Sequence, residues 1–130
     1  MQENYKQAAR RHYADAEHLA RDERWENACH LLGFAAECGL KHAVANLRPG
    51  QSAPHLHLPE LAQTAVKLLH GRDPAHRSLR TLLNDPDFFK DWAVRQRYHP
   101  DGSVTAEHYK RWLTHARRTL GAAKLKEGPS

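Results

Sequence analysis

The stretch ACHLLGFAAECGLKHAVANL, residues 28–47, decides the fold of this chain. Small and apolar residues recur in it at spacings of three and four, the pattern of an amphipathic helix. One side of that helix carries Ala28, Leu32, Ala35, Ala36, Leu40, Ala43, Val44 and Leu47, while Leu31, Phe34 and Cys38 lie on other sides. A helix that is apolar around much of its girth must be covered by other elements, so we expect it to be central.

Two predicted helices flank this central one. A stripe that includes Ala9, Ala16 and Leu19 predicts a first helix over about residues 4–21. The central helix should begin after the charged segment DERWE and end near Leu47, because the following RPGQSAPHLH is rich in turn-forming residues. From Pro59 the apolar spacing resumes and predicts a third helix that Gly71 can close.

Capping patterns predict three more helices. Asp73 and then Asp85 are each followed by proline, as in a capping acid with proline at the first helical position, so each pair should start a short helix. In the second of these, Phe88, Phe89, Trp92 and Ala93 follow helical spacing. Thr105 is the expected cap of a last long helix that carries Tyr109, Trp112 and Leu120. We expect the aromatic residues to pack in the core.

Length and patterning predict a single domain. A chain of 130 residues suits one core, and it shows no strand alternation and no internal repeat. We therefore expect an all-α, antiparallel up-and-down bundle of four to five helices over residues 1–124, followed by a flexible tail at 125–130. No apolar run is long enough to span a membrane and no secretory signal precedes the first helix, so we expect a cytoplasmic protein with no membrane contact and with Cys29 and Cys38 reduced.

The positive charge is concentrated in the last third of the chain. Residues 92–130 hold eight basic and three acidic side chains, whereas residues 1–47 hold six basic and seven acidic ones. An excess of this kind favours an anionic partner such as nucleic acid, or it forms a solvated face that keeps the protein soluble. The segment DWAVRQRYHPDG brings Arg95, Arg97, Tyr98 and His99 together beside a predicted turn.

Several segments resemble the HEPN family, the nucleotide-binding domains of higher eukaryotes and prokaryotes. They are the central stretch with its histidine-proline loop and HLPEL, the earlier YADAEHL and the later FKDWAVRQRY, in that order. The resemblance implies a bundle of four or five helices, often a homodimer, frequently encoded with a nucleotidyltransferase or acting in toxin-antitoxin and phage-defence systems. It also implies metal-independent ribonuclease activity where an arginine precedes a histidine by four to six intervening residues.

In the region before its last long helix this chain departs from that ribonuclease pattern, and arginine-histidine pairs with the permitted spacing lie only in other segments. Three residues separate Arg95 from His99, and one separates Arg97 from His99. We therefore transfer no catalytic role, and these three residues are candidates only for the alternative in which the protein is a metal-independent endoribonuclease. As phosphate or RNA contacts we predict Arg95, Arg97, Tyr98, His99 and Arg111.

Two further pairs invite interpretation. Glu37 resembles an acidic position of the family, so Glu37 and Lys41 are predicted to line a cleft, or else to form an intrahelical pair. His55 and His57 alternate in a proline-rich loop, but no cysteine or carboxylate pair completes a ligand set, so we predict no metal and no cofactor. The expected function is a binding module for nucleic acid or nucleotide; the alternatives are the endoribonuclease and a non-catalytic protein-interaction or dimerisation module.

Overall fold

The computed structural model describes residues 3–47, 52–69 and 74–125. Those residues form five α-helices and one 3₁₀ helix, η1, with no β-strand among them. In chain order the elements are α1 (Tyr5–Arg21), α2 (Trp25–Leu47), α3 (Glu60–Leu68), α4 (Pro74–Leu83), η1 (Val94–Tyr98) and α5 (Ala106–Ala122). The predicted all-α class is confirmed.

The helix ends follow the capping signals. Asn4 caps α1, because its side-chain oxygen accepts a hydrogen bond from the Gln7 N–H at 3.0 Å. Thr105 caps α5, and the backbone N–H of Thr105 donates in return to Nδ1 of His108 at 3.1 Å. Helix α4 begins at Pro74 as predicted. The predicted cap Asp73 and the predicted closing Gly71 lie outside the described residues.

Helix α2 is the centre of the fold, as its apolar girth predicted. It contacts α1, α3, α5 and η1. Many of its small and branched residues are completely buried, among them Ala28, Leu32, Ala36 and Leu40. Because alanine and glycine let neighbouring elements approach closely, the other helices can cover α2 on several sides. None of the described helices is both long and apolar enough to cross a bilayer.

The helix predicted after Pro86 is wrong. Residues 86–91 form turns, and Phe89 and Asp91 have positive φ angles of 47° and 71°. An α-helix cannot accommodate such angles. Tertiary packing overrides the helical spacing, because Phe88, Phe89 and Trp92 are all buried from this turn conformation. After α4, the next helical turn comes only at η1.

Leu125, the first residue of the predicted tail, packs against the helices. Leu125 is 1% exposed and packs with Ala9, Ala35 and Leu120. Its carbonyl oxygen accepts a hydrogen bond from Nε of Arg10 at 2.9 Å. The division into a domain and a flexible tail stays a prediction, because the rest of the predicted tail lies outside the described residues.

Candidate functional site

The basic segment, residues 95–99, lies on η1 and its C-cap. Arg95 and His99 are exposed, and the ring of Tyr98 is 76% exposed. Tyr98 is the one large hydrophobic residue of the described part of the chain that is mostly exposed. The side chain of Arg97 lies outside the described side chains. The structure thus brings three of the predicted contact residues together on one short element.

Trp92 anchors the start of this segment on α2. Its indole is 3% exposed and its Nε1–H donates to the carbonyl oxygen of Cys29 at 2.9 Å. The ring lies against Gly33, where a β-carbon would come within 1.9 Å of the indole. Only glycine at position 33 leaves room for the indole. Since Trp92 is two residues from η1, this contact fixes where the basic segment emerges.

Helix α5 holds the preceding turn through two side chains. Nδ1 of His115 accepts a hydrogen bond from the backbone N–H of Phe89 at 3.0 Å, and the indole N–H of Trp112 donates to the carbonyl oxygen of Lys90 at 3.0 Å. His115 and Trp112 are both buried. Because residues 86–91 are not helical, these two backbone groups have no partner within a helix, and the side chains of α5 satisfy them instead. The turn is therefore held from α2 and from α5.

Arg111 is on a different element from the basic segment. It lies in α5 and is exposed, and its guanidinium carbon stands 5.8 Å from the centre of the Trp112 ring. The indole of Trp112 in turn bonds the turn that leads to η1. Arg111 therefore adds positive charge on the helix that supports the segment.

Glu37 is the buried acidic residue of α2. It is 3% exposed, and its carboxyl oxygens lie 3.0 and 3.3 Å from Nδ1 of His57. One oxygen also accepts the backbone N–H of Leu58 at 2.9 Å. A buried carboxyl group is tolerated when its oxygens are hydrogen-bonded in this way. The pair ties the loop before α3 to the middle of α2.

Glu37 and Lys41 have different partners. The ammonium of Lys41 stands 5.9 Å from the centre of the Tyr5 ring on α1, a cation–π geometry. The oxygens of Glu37 are taken by the loop. The interpretation of these two residues as an intrahelical pair is therefore wrong, and their predicted role as joint lining of a cleft stays a prediction.

Aromatic contacts place the Glu37 pair near the anchor of the basic segment. The ring of Phe34 lies 6.2 Å from that of His57 and 6.1 Å from that of Trp92, between centroids. His30 also contacts Phe34, at 4.5 Å, and stacks on Trp92 at 5.8 Å. The loop histidine and the Trp92 anchor are thus joined through one phenylalanine of α2.

This arrangement can bind phosphate and bases. Arginine donates paired hydrogen bonds to phosphate oxygens, and an exposed tyrosine ring offers a surface on which an unpaired base can stack. The half-exposed side chain of His57 is held at Nδ1 by Glu37, so its Nε2 is the nitrogen left for a ligand. Within the described ranges no three histidine, cysteine or acidic residues are grouped to hold a metal ion.

Three positioning residues were missed by sequence reasoning. Gly33 and His115 were given no role, and His57 was considered only as a possible metal ligand. One signal was available for His57, because a glutamate in an otherwise apolar helix needs a partner from elsewhere in the chain. The contacts of Gly33 and His115 depend on a turn that the sequence pattern did not reveal.

Comparison of the chain with protein-family models, with curated proteins and with solved structures finds no match in any of the three.

Proposed function

We propose that this protein is a single-stranded RNA-binding module of HEPN-like architecture. The observation that carries the proposal is the mostly exposed Tyr98 ring between the exposed Arg95 and His99, on an element anchored by Trp92. Unpaired bases stack on exposed aromatic rings, and cationic side chains beside the ring contact the phosphates. An anchored element presents these groups with little loss of entropy on binding.

The charge of the chain supports the same proposal. The formal net charge is +5, and the last third supplies the excess. Phosphate contacts release counterions, so affinity for RNA should fall as salt rises. A basic face that serves only solubility would give no saturable binding of RNA. A titration at different salt concentrations therefore distinguishes an RNA-binding surface from a solvated one.

The test is a titration of labelled single-stranded RNA with the protein in chelator at two salt concentrations. We expect Arg95→Ala to reduce the slope of log affinity against log salt by about 0.7, the value for one phosphate contact on a single strand. The matched control is Arg24→Ala, which removes an exposed arginine outside the basic segment. Equal losses in both variants, or no binding by the native protein, would refute the assignment.

The same samples, run on a denaturing gel, test the alternative activity. Intact RNA after prolonged incubation fits a binding module. Cleavage that disappears in His99→Ala would instead assign a metal-independent endoribonuclease to the segment that holds Arg95 and His99. In that case the protein would be an enzyme and not only a binding module, despite the short spacing between the arginine and the histidine.

The proposal includes an antiparallel up-and-down arrangement and the partners that the HEPN resemblance implies. These are a second copy of the chain and, in an operon, a nucleotidyltransferase or toxin-antitoxin partner protein. Sedimentation equilibrium tests the homodimer, for which we expect twice the chain mass of 14.9 kDa. A monomer at all concentrations would remove the dimer and leave RNA binding to be judged by titration.

A further inference from the structure

A groove of about 610 Å³ lies between α4 and α5. Its α4 side is formed by Ser78 and Leu82, which are four apart and lie on one face of the helix, and by Asp85, which follows the end of the helix. Its α5 side carries Arg117, Arg118 and Gly121. A volume of this size suits a small metabolite.

Two arginines line the groove, and their guanidinium groups differ in how they are held. Nε of Arg117 donates to the hydroxyl of Tyr13 on α1 at 3.2 Å, which fixes its side chain while leaving its terminal nitrogens for other acceptors. Arg118 is exposed and has neither a hydrogen bond nor an ion pair among the described residues. The guanidinium group of Arg117 is thus held in position, and that of Arg118 can bind a ligand.

The remaining polar groups are hydroxyl and carboxyl. Asp85 uses one oxygen to accept the Asp87 N–H at 2.9 Å, which leaves its other oxygen as an acceptor. Ser78, which carries a hydroxyl group, lines the same groove. With two guanidinium groups against one carboxyl group, the groove carries net positive charge, yet it offers an acceptor for hydroxyl groups.

Gly121 keeps the groove open. A β-carbon at this position would meet nothing within 4 Å, and its φ is not positive. The glycine is therefore not required by the backbone, and larger side chains at position 121 can enter the space. This gives a way to fill the groove without disturbing the core.

We infer that this groove binds a small phosphorylated sugar. The guanidinium groups of Arg117 and Arg118 take the phosphate, and Asp85 and Ser78 take hydroxyl groups of the sugar. Charge-assisted bonds from arginine give such a site its preference for phosphate. The site uses none of the residues of the basic segment, so it does not depend on RNA binding.

The test is calorimetric titration of the full chain with ribose 5-phosphate, with ribose and inorganic phosphate as comparison ligands. We expect saturable binding of ribose 5-phosphate that is at least about tenfold tighter than for either comparison ligand. Arg118→Gln should weaken it at least about tenfold. Gly121→Leu should abolish it, and Gly121→Ala, the matched control, should retain it.

The thermal midpoint of each variant is measured first, so that only folded variants are compared. Absence of saturable binding to the native protein would overturn the inference. So would equal affinity in Arg118→Gln or in a folded Gly121→Leu. Inorganic phosphate that binds as tightly as ribose 5-phosphate would remove the sugar from the assignment and so overturn it as stated.

Discussion

Nδ1 of His115 accepts a hydrogen bond from the backbone N–H of Phe89, at 3.0 Å. The contact joins α5 to the turn that precedes the basic segment, and it requires an unprotonated Nδ1. Burial lowers the pKa of His115, with Arg118 and Arg111 acting in the same direction and Asp85 and Asp87 opposing them. The neutral form of His115 is therefore part of the folded structure.

This bond predicts a loss of stability in mild acid. A histidine with a lowered folded pKa binds more protons when unfolded, so its contribution is fully present above the ordinary pKa of about 6.5 and falls as the pH drops below it. His12 and His42, whose pKa values burial also lowers, act in the same direction. Urea unfolding at pH 7.5 and 5.5 measures the combined effect.

The matched variant is His115→Asn, whose side-chain oxygen can accept the same N–H without titrating. We expect its stability to fall less than that of the native protein between the two pH values. Identical pH dependence in the two proteins would show that titration of His115 does not contribute to the loss of stability in acid.

The contact between Glu37 and His57 predicts strong coupling between the two residues. Glu37→Ala leaves the Leu58 N–H and His57 Nδ1 without their acceptor, at a cost of about 1–3 kcal/mol in the free energy of unfolding. His57→Ala should also destabilise, since the buried carboxyl group loses a donor. A double-mutant cycle should give a coupling energy of about 0.5–3 kcal/mol. Additive losses would mean that the pair is not a stabilising contact.

Gly33 and Gly39 on α2 should respond oppositely to alanine. Gly33→Ala puts a β-carbon 1.9 Å from the Trp92 indole, so overpacking should cost about 1–3 kcal/mol or more. Gly39→Ala meets the Thr119 methyl group at 3.4 Å and a Leu120 methyl group at 3.9 Å, and it should be neutral or stabilising by up to about 1 kcal/mol, because alanine favours helix. Denaturant midpoints compare the two. A neutral Gly33→Ala would contradict the anchoring role of Trp92.

The two cysteines should react slowly in the folded protein. Burial raises the pKa of Cys29 to about 12 and that of Cys38 to about 11, so both thiols are protonated at pH 8. Because the thiolate is the nucleophile, alkylation followed by mass spectrometry should label both much faster in denaturant. Rapid labelling of Cys29 under native conditions would contradict the packing of α2.

The sequence predicted the helices whose signals are local. The cap at Thr105, the proline at position 74 and the apolar girth of α2 each act within one element, and the structure has them where the pattern indicated. The turn at 86–91 was mispredicted because its conformation is set by α2 and α5, which are distant in the sequence. The positive φ angles of Phe89 and Asp91 cannot be predicted from the spacing of hydrophobic residues.

In the candidate site, too, features that are local in the sequence were predicted and contacts between distant residues were not. Composition indicated Arg95, Tyr98 and His99 as a cluster, since they are close in the chain. Their common exposure depends on the Trp92 indole against Gly33, a contact between residues about sixty positions apart. The link from Glu37 to His57 is also non-local. Sequence reasoning singled out Glu37, as a cleft-lining residue or one half of an intrahelical pair, but not the histidine that it binds.

The most direct test of RNA binding is the affinity of Tyr98→Ala and Tyr98→Phe for single-stranded RNA, measured by fluorescence anisotropy at fixed salt. Stacking of a base on this ring is worth about 1–3 kcal/mol, so we expect Tyr98→Ala to bind RNA at least about fivefold more weakly. Tyr98→Phe keeps the ring and should bind like the native protein. Unchanged affinity in Tyr98→Ala, or no RNA binding by the native protein, would contradict the central claim.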